Sequence, residues 1–145
     1  MRFLPLLLSL LVFIGACEKE QGPPVVISDV RVIAPMPGST MGVGYMSIAN
    51  RGEEPITVDA VSSPQFEKVE MHETTITDGI SRMRRLEHVQ IQSGATAVFE
   101  AGGKHLMLMG ATPDTAPGSP VTLEINHNNG LLIVSATMQA RLPAE

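Results

Sequence analysis

"GGKHLMLMG" (residues 102–110) decides how this chain folds. Read as a β-strand, it sends successive side chains to opposite faces. Leu106 and Leu108 fall on one face, and His105, Met107 and Met109 on the other. The leucines suit a core. A solvated face ordinarily carries Lys, Thr or Glu, whereas this one carries an imidazole and two thioethers. Either the strand is buried on both faces and filled with methionine, or its two faces have different tasks.

The rest of the chain supports the strand reading. No long stretch has helical periodicity, and short β-type runs alternate with turn residues. The runs are 25–33, 44–50, 56–63, 66–74, 87–92, 95–101, 104–110, 120–127 and 131–140. Asp78-Gly79 marks a turn after the fourth run, and Asn129-Gly130 a hairpin between the last two. "RMRR" (82–85) reads as a solvated turn, or else as a local basic patch suited to an acidic docking face. The spacing predicts a single-domain, all-β fold, a Greek-key sandwich or barrel of about eight antiparallel strands.

The first sixteen residues stand apart. "MRFLPLLLSLLVFIGAC" opens with Arg2, runs apolar from Phe3 to Ile14 and closes on Gly15, Ala16 and Cys17. This is the pattern of a secretory signal peptide, too short to favour a spanning helix. The chain has 1 cysteine. An odd cysteine in an exported protein needs a use, and "IGAC" resembles the lipobox of bacterial lipoproteins. That resemblance implies cleavage before Cys17, lipidation of Cys17 and anchoring of the chain to a lipid bilayer. Two or more acyl chains anchor stably where one does not. Residues 17–24 then form a polar tether, and 25–141 the folded domain. Glu18 after the cysteine favours the outer membrane where the cell has one.

Composition excludes several classes. Removing residues 1–16 removes Arg2 and no acid, so 9 basic and 15 acidic residues remain, a net charge of −6. Nucleic acid is excluded as a partner, because phosphate binding needs a basic surface. With Cys17 lipidated, no thiol is left for a disulfide, a zinc thiolate or a nucleophile. No nucleophile elbow, HExxH or phosphate-binding glycine loop is present, so the chain reads as no enzyme. A blue-copper electron carrier needs a cysteine ligand that is not available. What is abundant is methionine: 9 in all, against 0 Trp, 1 Tyr and 4 Phe. Methionine is flexible and specifies packing poorly, so this is an odd way to fill a small core.

Four residues stand out by type. His105 and Met107 are two apart on one strand face, roughly 6.6 Å between Cα atoms at strand rise. His72 and Met83 flank the turn at Asp78-Gly79. Thioether sulfur is soft and neutral and selects Cu(I) over zinc, magnesium or calcium, and imidazole suits copper too. Thiolates would bind more tightly but form disulfides in an oxidising compartment. A two-His, two-Met site could hold Cu(I) and still release it to a thiolate acceptor. Met71 and Met109 are possible secondary ligands. Met71 cannot share a regular strand face with His72, and Met109 lies a further two residues along from Met107.

The spacing His72, ten residues, Met83, twenty-one residues, His105, one residue, Met107 resembles the H-(M)-x10-M-x21-H-x-M signature of the periplasmic copper chaperones called PCuAC. "VEMHET", "DGISRMRR", "AGGKHLMLMG" and "GYMSIANRGEEPI" extend the similarity over about residues 28–138. The resemblance implies a cupredoxin-like β-sandwich that binds Cu(I) as a monomer. It also implies delivery to the CuA centre of cytochrome c oxidase, alongside Sco-type proteins, at the periplasmic face of a membrane. A copper-scavenging lipoprotein, or a structural lipoprotein without metal, is the alternative. The chain departs from the family at Lys104, beside the proposed site, and at His127, which could form a second, weaker site.

Overall fold

A computed structural model of the chain describes residues 23–113 and 115–141. The signal peptide expected over residues 1–16 and the expected lipidation site Cys17 lie outside the described residues. Ten strands make up the fold: β1 (Val25–Ile33), β2 (Gly42–Asn50), β3 (Ile56–Ser62), β4 (Phe66–Thr77), β5 (Ile80–Leu86), β6 (Val89–Ile91), β7 (Thr96–Phe99), β8 (Lys104–Ala111), β9 (Pro120–His127) and β10 (Gly130–Gln139). No helix of the described residues is long and apolar enough to cross a membrane.

The strands pair in the order β5-β4-β8-β7-β2-β1-β10-β9-β3-β6. Most neighbours are antiparallel. The parallel pairings β1–β10 and β7–β8 mark the crossovers. At β1–β10 the sheet turns over, so that β9, β3 and β6 face the other strands across one core. Ile48, Leu106 and Leu108 meet Val58, Leu123 and Ile125 there, each no more than 2 % exposed. The all-β, cupredoxin-like sandwich expected from the sequence is what the chain forms. Among the described residues the core runs from Val25 to Met138, and these residues pack into one cluster of their own.

β8 settles the question its sequence raises. Leu106 and Leu108 are both 0 % exposed and face the core. His105, Met107 and Met109 lie on the outer face of the same strand, by alternation. The strand does have two faces, one in the core and one that carries the candidate ligands His105 and Met107.

Three sequence expectations need correction. The described residues form ten strands where about eight were expected, and one of the additions is β5. The "RMRR" segment is not a turn: Arg82 to Arg85 lie inside that strand. β5 is an edge strand whose residues from Ile80 to Arg85 are all exposed, so no buried face left an alternating pattern to read. The preceding turn is where the sequence placed it. Asp78 and Gly79 both take positive φ, 52° and 74°, the geometry a tight two-residue hairpin demands. The last hairpin is shifted by one residue. Gly130 pairs with His127, so the loop is Asn128-Asn129 rather than Asn129-Gly130. Asn128 is held there because its Oδ1 accepts from Thr57 N at 2.9 Å and its own N–H donates to Thr57 O at 3.0 Å.

Candidate metal centre

The site is built on three neighbouring strands, β5, β4 and β8. His72 on β4 lies directly opposite His105 on β8. Their rings are 6.0 Å apart between centroids and inclined by 45°. Met83 on β5 is opposite Thr74 of β4. From there its side chain reaches across β4, bringing Sδ to 3.2 Å from His105 Nε2. Met107 shares the outer face with His105 and lies opposite Glu70 of β4. His105 is 8 % exposed and Met83 54 %. A buried imidazole thus sits under a thioether that is open to solvent.

Hydrogen bonds fix which ring nitrogens are available. His105 Nδ1 donates to Gly103 O at 3.0 Å. A carbonyl only accepts, so in the neutral ring Nε2 carries the lone pair. Nε2 and the Met83 sulfur are then two acceptors 3.2 Å apart with no proton between them. For N and S ligands at roughly 2.0 and 2.3 Å from a tetrahedral ion, the ligand–ligand separation is about 3.5 Å. The pair is therefore close to the spacing that a shared ion would impose. His72 repeats the logic with the ring reversed. Its Nε2 donates to Glu70 Oε2 at 2.9 Å, which leaves the lone pair on Nδ1. That atom is buried and has no hydrogen-bond partner. Native structures rarely leave a buried polar atom unpaired without a reason such as an ion.

Two carboxylates beside the site, Glu70 and Glu73, each pair with two cations. Hydrogen bonds from Lys68 and then His72, with the Coulomb attraction of Lys68 and Arg85, pull the Glu70 carboxyl from 4.5 down to about 2. Lys68 Nζ is 2.6 Å and Arg85 Nε 3.6 Å from Glu70 Oε1. Glu73 is also lowered, first by a hydrogen bond from Arg84 at 2.6 Å and then by one from Lys104 at 3.2 Å. The Lys104 cation is thereby tied to Glu73 beside the site. Among the described residues no three His, Cys, Asp or Glu side chains cluster to hold a metal. The donor that lies nearest the His105 ring is thioether sulfur, a soft ligand type.

The structure thus brings His72, His105 and Met83 together and sets Met107 on their face. It does not bring Met71. That side chain is 4 % exposed, in the core, on the opposite face of β4 from His72. Met109 shares the outer face but lies opposite Lys68, two residues beyond Met107. His127 ends β9, paired with Val58 and Gly130, on strands that do not carry the site. Sequence reasoning missed Glu70 and Gly103, which orient the two rings. The signal for Glu70 was present: it precedes His72 by two residues and so shares its face.

The family model described as "Putative lipoprotein LpqE-like" matches residues 25–137. The chain belongs to that family. The LpqE-like chain is also 26 % identical over 94 residues to the "Putative lipoprotein Lxx21020" of Leifsonia xyli subsp. xyli. That match spans 64 % of this chain and 57 % of the relative, so the chain covers little more than half the relative's length. Among solved structures, the copper-bound PCuAC domain from PmoF2 superposes with a TM-score of 0.67 at 19 % identity, covering 82 % of this chain and 95 % of that one. The Cu(I) form of DR1885 from Deinococcus radiodurans superposes with a TM-score of 0.65 at 25 % identity, over 85 % and 83 % of the two chains. The chain therefore has the fold of the PCuAC domains that its sequence resembles.

Proposed function

We propose that this chain is an extracytoplasmic Cu(I) chaperone that carries copper on His72, Met83, His105 and Met107. The observation that carries the reading is that each of the two facing imidazoles keeps one ring nitrogen with no hydrogen to share. His105 Nε2 faces the Met83 sulfur at 3.2 Å, and His72 Nδ1 is buried without a partner. Two imidazoles and two thioethers are neutral, so they suit a singly charged soft ion and add no charge of their own. The exposed position of Met83 supports transfer as well as binding, since an incoming thiolate can displace the outermost ligand first. The domain is a carrier, not a catalyst: copper is its cargo. The copper-bound state of the PmoF2 domain and of DR1885, which share the fold, supports the same cargo here.

The finer reading is delivery to the CuA centre of cytochrome c oxidase, directly or through a Sco-type protein. Lipidation at Cys17 would hold the carrier at the periplasmic face of a membrane, the outer one in a cell with two, with residues 17–24 as tether. The lipoprotein description of the family and of the Leifsonia relative supports the anchor. Transfer is tested by mixing the Cu(I)-loaded chain anaerobically with an apo CuA domain or an apo Sco-type dithiol protein and following copper by elution and absorbance. Movement of one equivalent supports delivery. Copper that stays on the chain with both acceptors would replace delivery with scavenging.

A further inference from the structure

We infer that Glu70 is a positioning residue that selects the ring nitrogen His72 offers to the ion, so that the two histidines ligate through opposite nitrogens, Nδ1 of His72 and Nε2 of His105. The inference rests on the copper reading of the site and adds a residue to it.

Glu70 and His72 are two apart on β4 and share its outer face. The carboxylate is held from the other side. Lys68 and Arg85 approach Oε1, at 2.6 and 3.6 Å, which leaves Oε2 for His72 Nε2 at 2.9 Å. An ionised carboxylate only accepts, so Nε2 bears the proton and Nδ1 the lone pair. Metal-bound imidazoles commonly donate their second nitrogen to a carboxylate or a backbone carbonyl, which fixes tautomer and ring orientation. This site uses one of each. His105 donates Nδ1 to Gly103 O, and that carbonyl is itself pinned because Thr74 N donates to it at 3.0 Å. Since Glu70 grips one ring by Nε2 and Gly103 grips the other by Nδ1, the free lone pairs are on unlike nitrogens. The buried, unpartnered His72 Nδ1 is the second observation in favour. A Glu70 that served only as an ion-pair partner for Lys68 and Arg85 would leave the His72 ring free to turn.

The test uses the chain without its apolar leader and with Cys17→Ser, 15N-labelled at histidine, in wild type, Glu70→Gln and Glu70→Ala. In the copper-free wild type, NMR should show His72 protonated at Nε2, with that proton protected from exchange. Addition of Cu(I) should then shift Nδ1 of His72 and Nε2 of His105. Glu70→Ala should lose the protected proton and weaken Cu(I) binding about 10- to 100-fold. Glu70→Gln, whose amide oxygen still accepts from Nε2–H, should keep the proton and recover most of the affinity. A wild-type His72 protonated at Nδ1, a Cu(I) shift at its Nε2, or a Glu70→Ala protein indistinguishable from wild type would each overturn the inference. Absence of Cu(I) binding in wild type would instead sink the copper reading and the ligation with it. The copper-free proton pattern would still decide whether Glu70 sets the ring.

Discussion

Substitutions on the two faces of β8 should separate folding from binding. Leu106 is 0 % exposed and sits between His105 and Met107 in sequence. Leu106→Ala removes core atoms and leaves a cavity, at a cost of about 2.7–5 kcal/mol on the scale of comparable core truncations. Met107 is half-buried on the other face. Met107→Leu nearly conserves volume and should cost less than about 1.5 kcal/mol. Copper reverses the order. A ligand that binds only the native state stabilises it by RT ln(1 + [L]/Kd), about 4.1 kcal/mol at a thousand times Kd. Urea unfolding of each variant, with and without buffered Cu(I), reads both quantities. Leu106→Ala should start far lower and still gain close to the full copper increment. Met107→Leu should start near wild type and lose most of that increment. If Leu106→Ala lost the copper gain, or Met107→Leu kept all of it, the division of the strand into a core face and a ligand face would be refuted.

Two further outcomes follow from the structure. Glu70 and Glu73 have their carboxyl groups lowered in the folded chain. Their contribution is therefore complete above the ordinary value of 4.5 and is lost as pH falls through the folded value, for Glu70 about 2. Urea midpoints should decline between those limits, and Glu70→Gln should flatten that decline; an equal decline in the variant would contradict the assignment. Asn50, 1 % exposed, donates from Nδ2 to Glu54 O and Ile91 O and accepts at Oδ1 from Gly52 N. Asn50→Ala should cost about 1–3 kcal/mol in urea unfolding through the buried groups it orphans, without altering Cu(I) affinity. A change below the error of the fit would show that water replaces the side chain.

The sequence was most legible where one face of a strand is buried. Leu106 and Leu108 alternating with His105 and Met107 announced the core face and set the candidate ligands on the other, because a strand alternates its side chains between two faces. The edge strand β5 was not legible, since none of its residues from Ile80 to Arg85 is buried and its pairing leaves no pattern. The hairpin at Asn128-Asn129 was misplaced by one residue because its register depends on hydrogen bonds to Thr57, distant in the chain. Intervals between His and Met residues pointed to His72, Met83, His105 and Met107. They said nothing of Glu70 or Gly103, whose roles depend on ring orientation rather than spacing. Met71 shows the opposite case: adjacent to His72 in sequence, it is turned into the core by the pleat.

The most direct measurement is an anaerobic Cu(I) titration against a competing chelator, on the chain without its leader. Wild type is compared with the double variant Met83→Leu, Met107→Leu. One tight equivalent is expected in wild type and much weaker binding in the variant, with both proteins folded. Equal, weak binding in the two would mean that the methionines only pack, and the chaperone reading would be wrong.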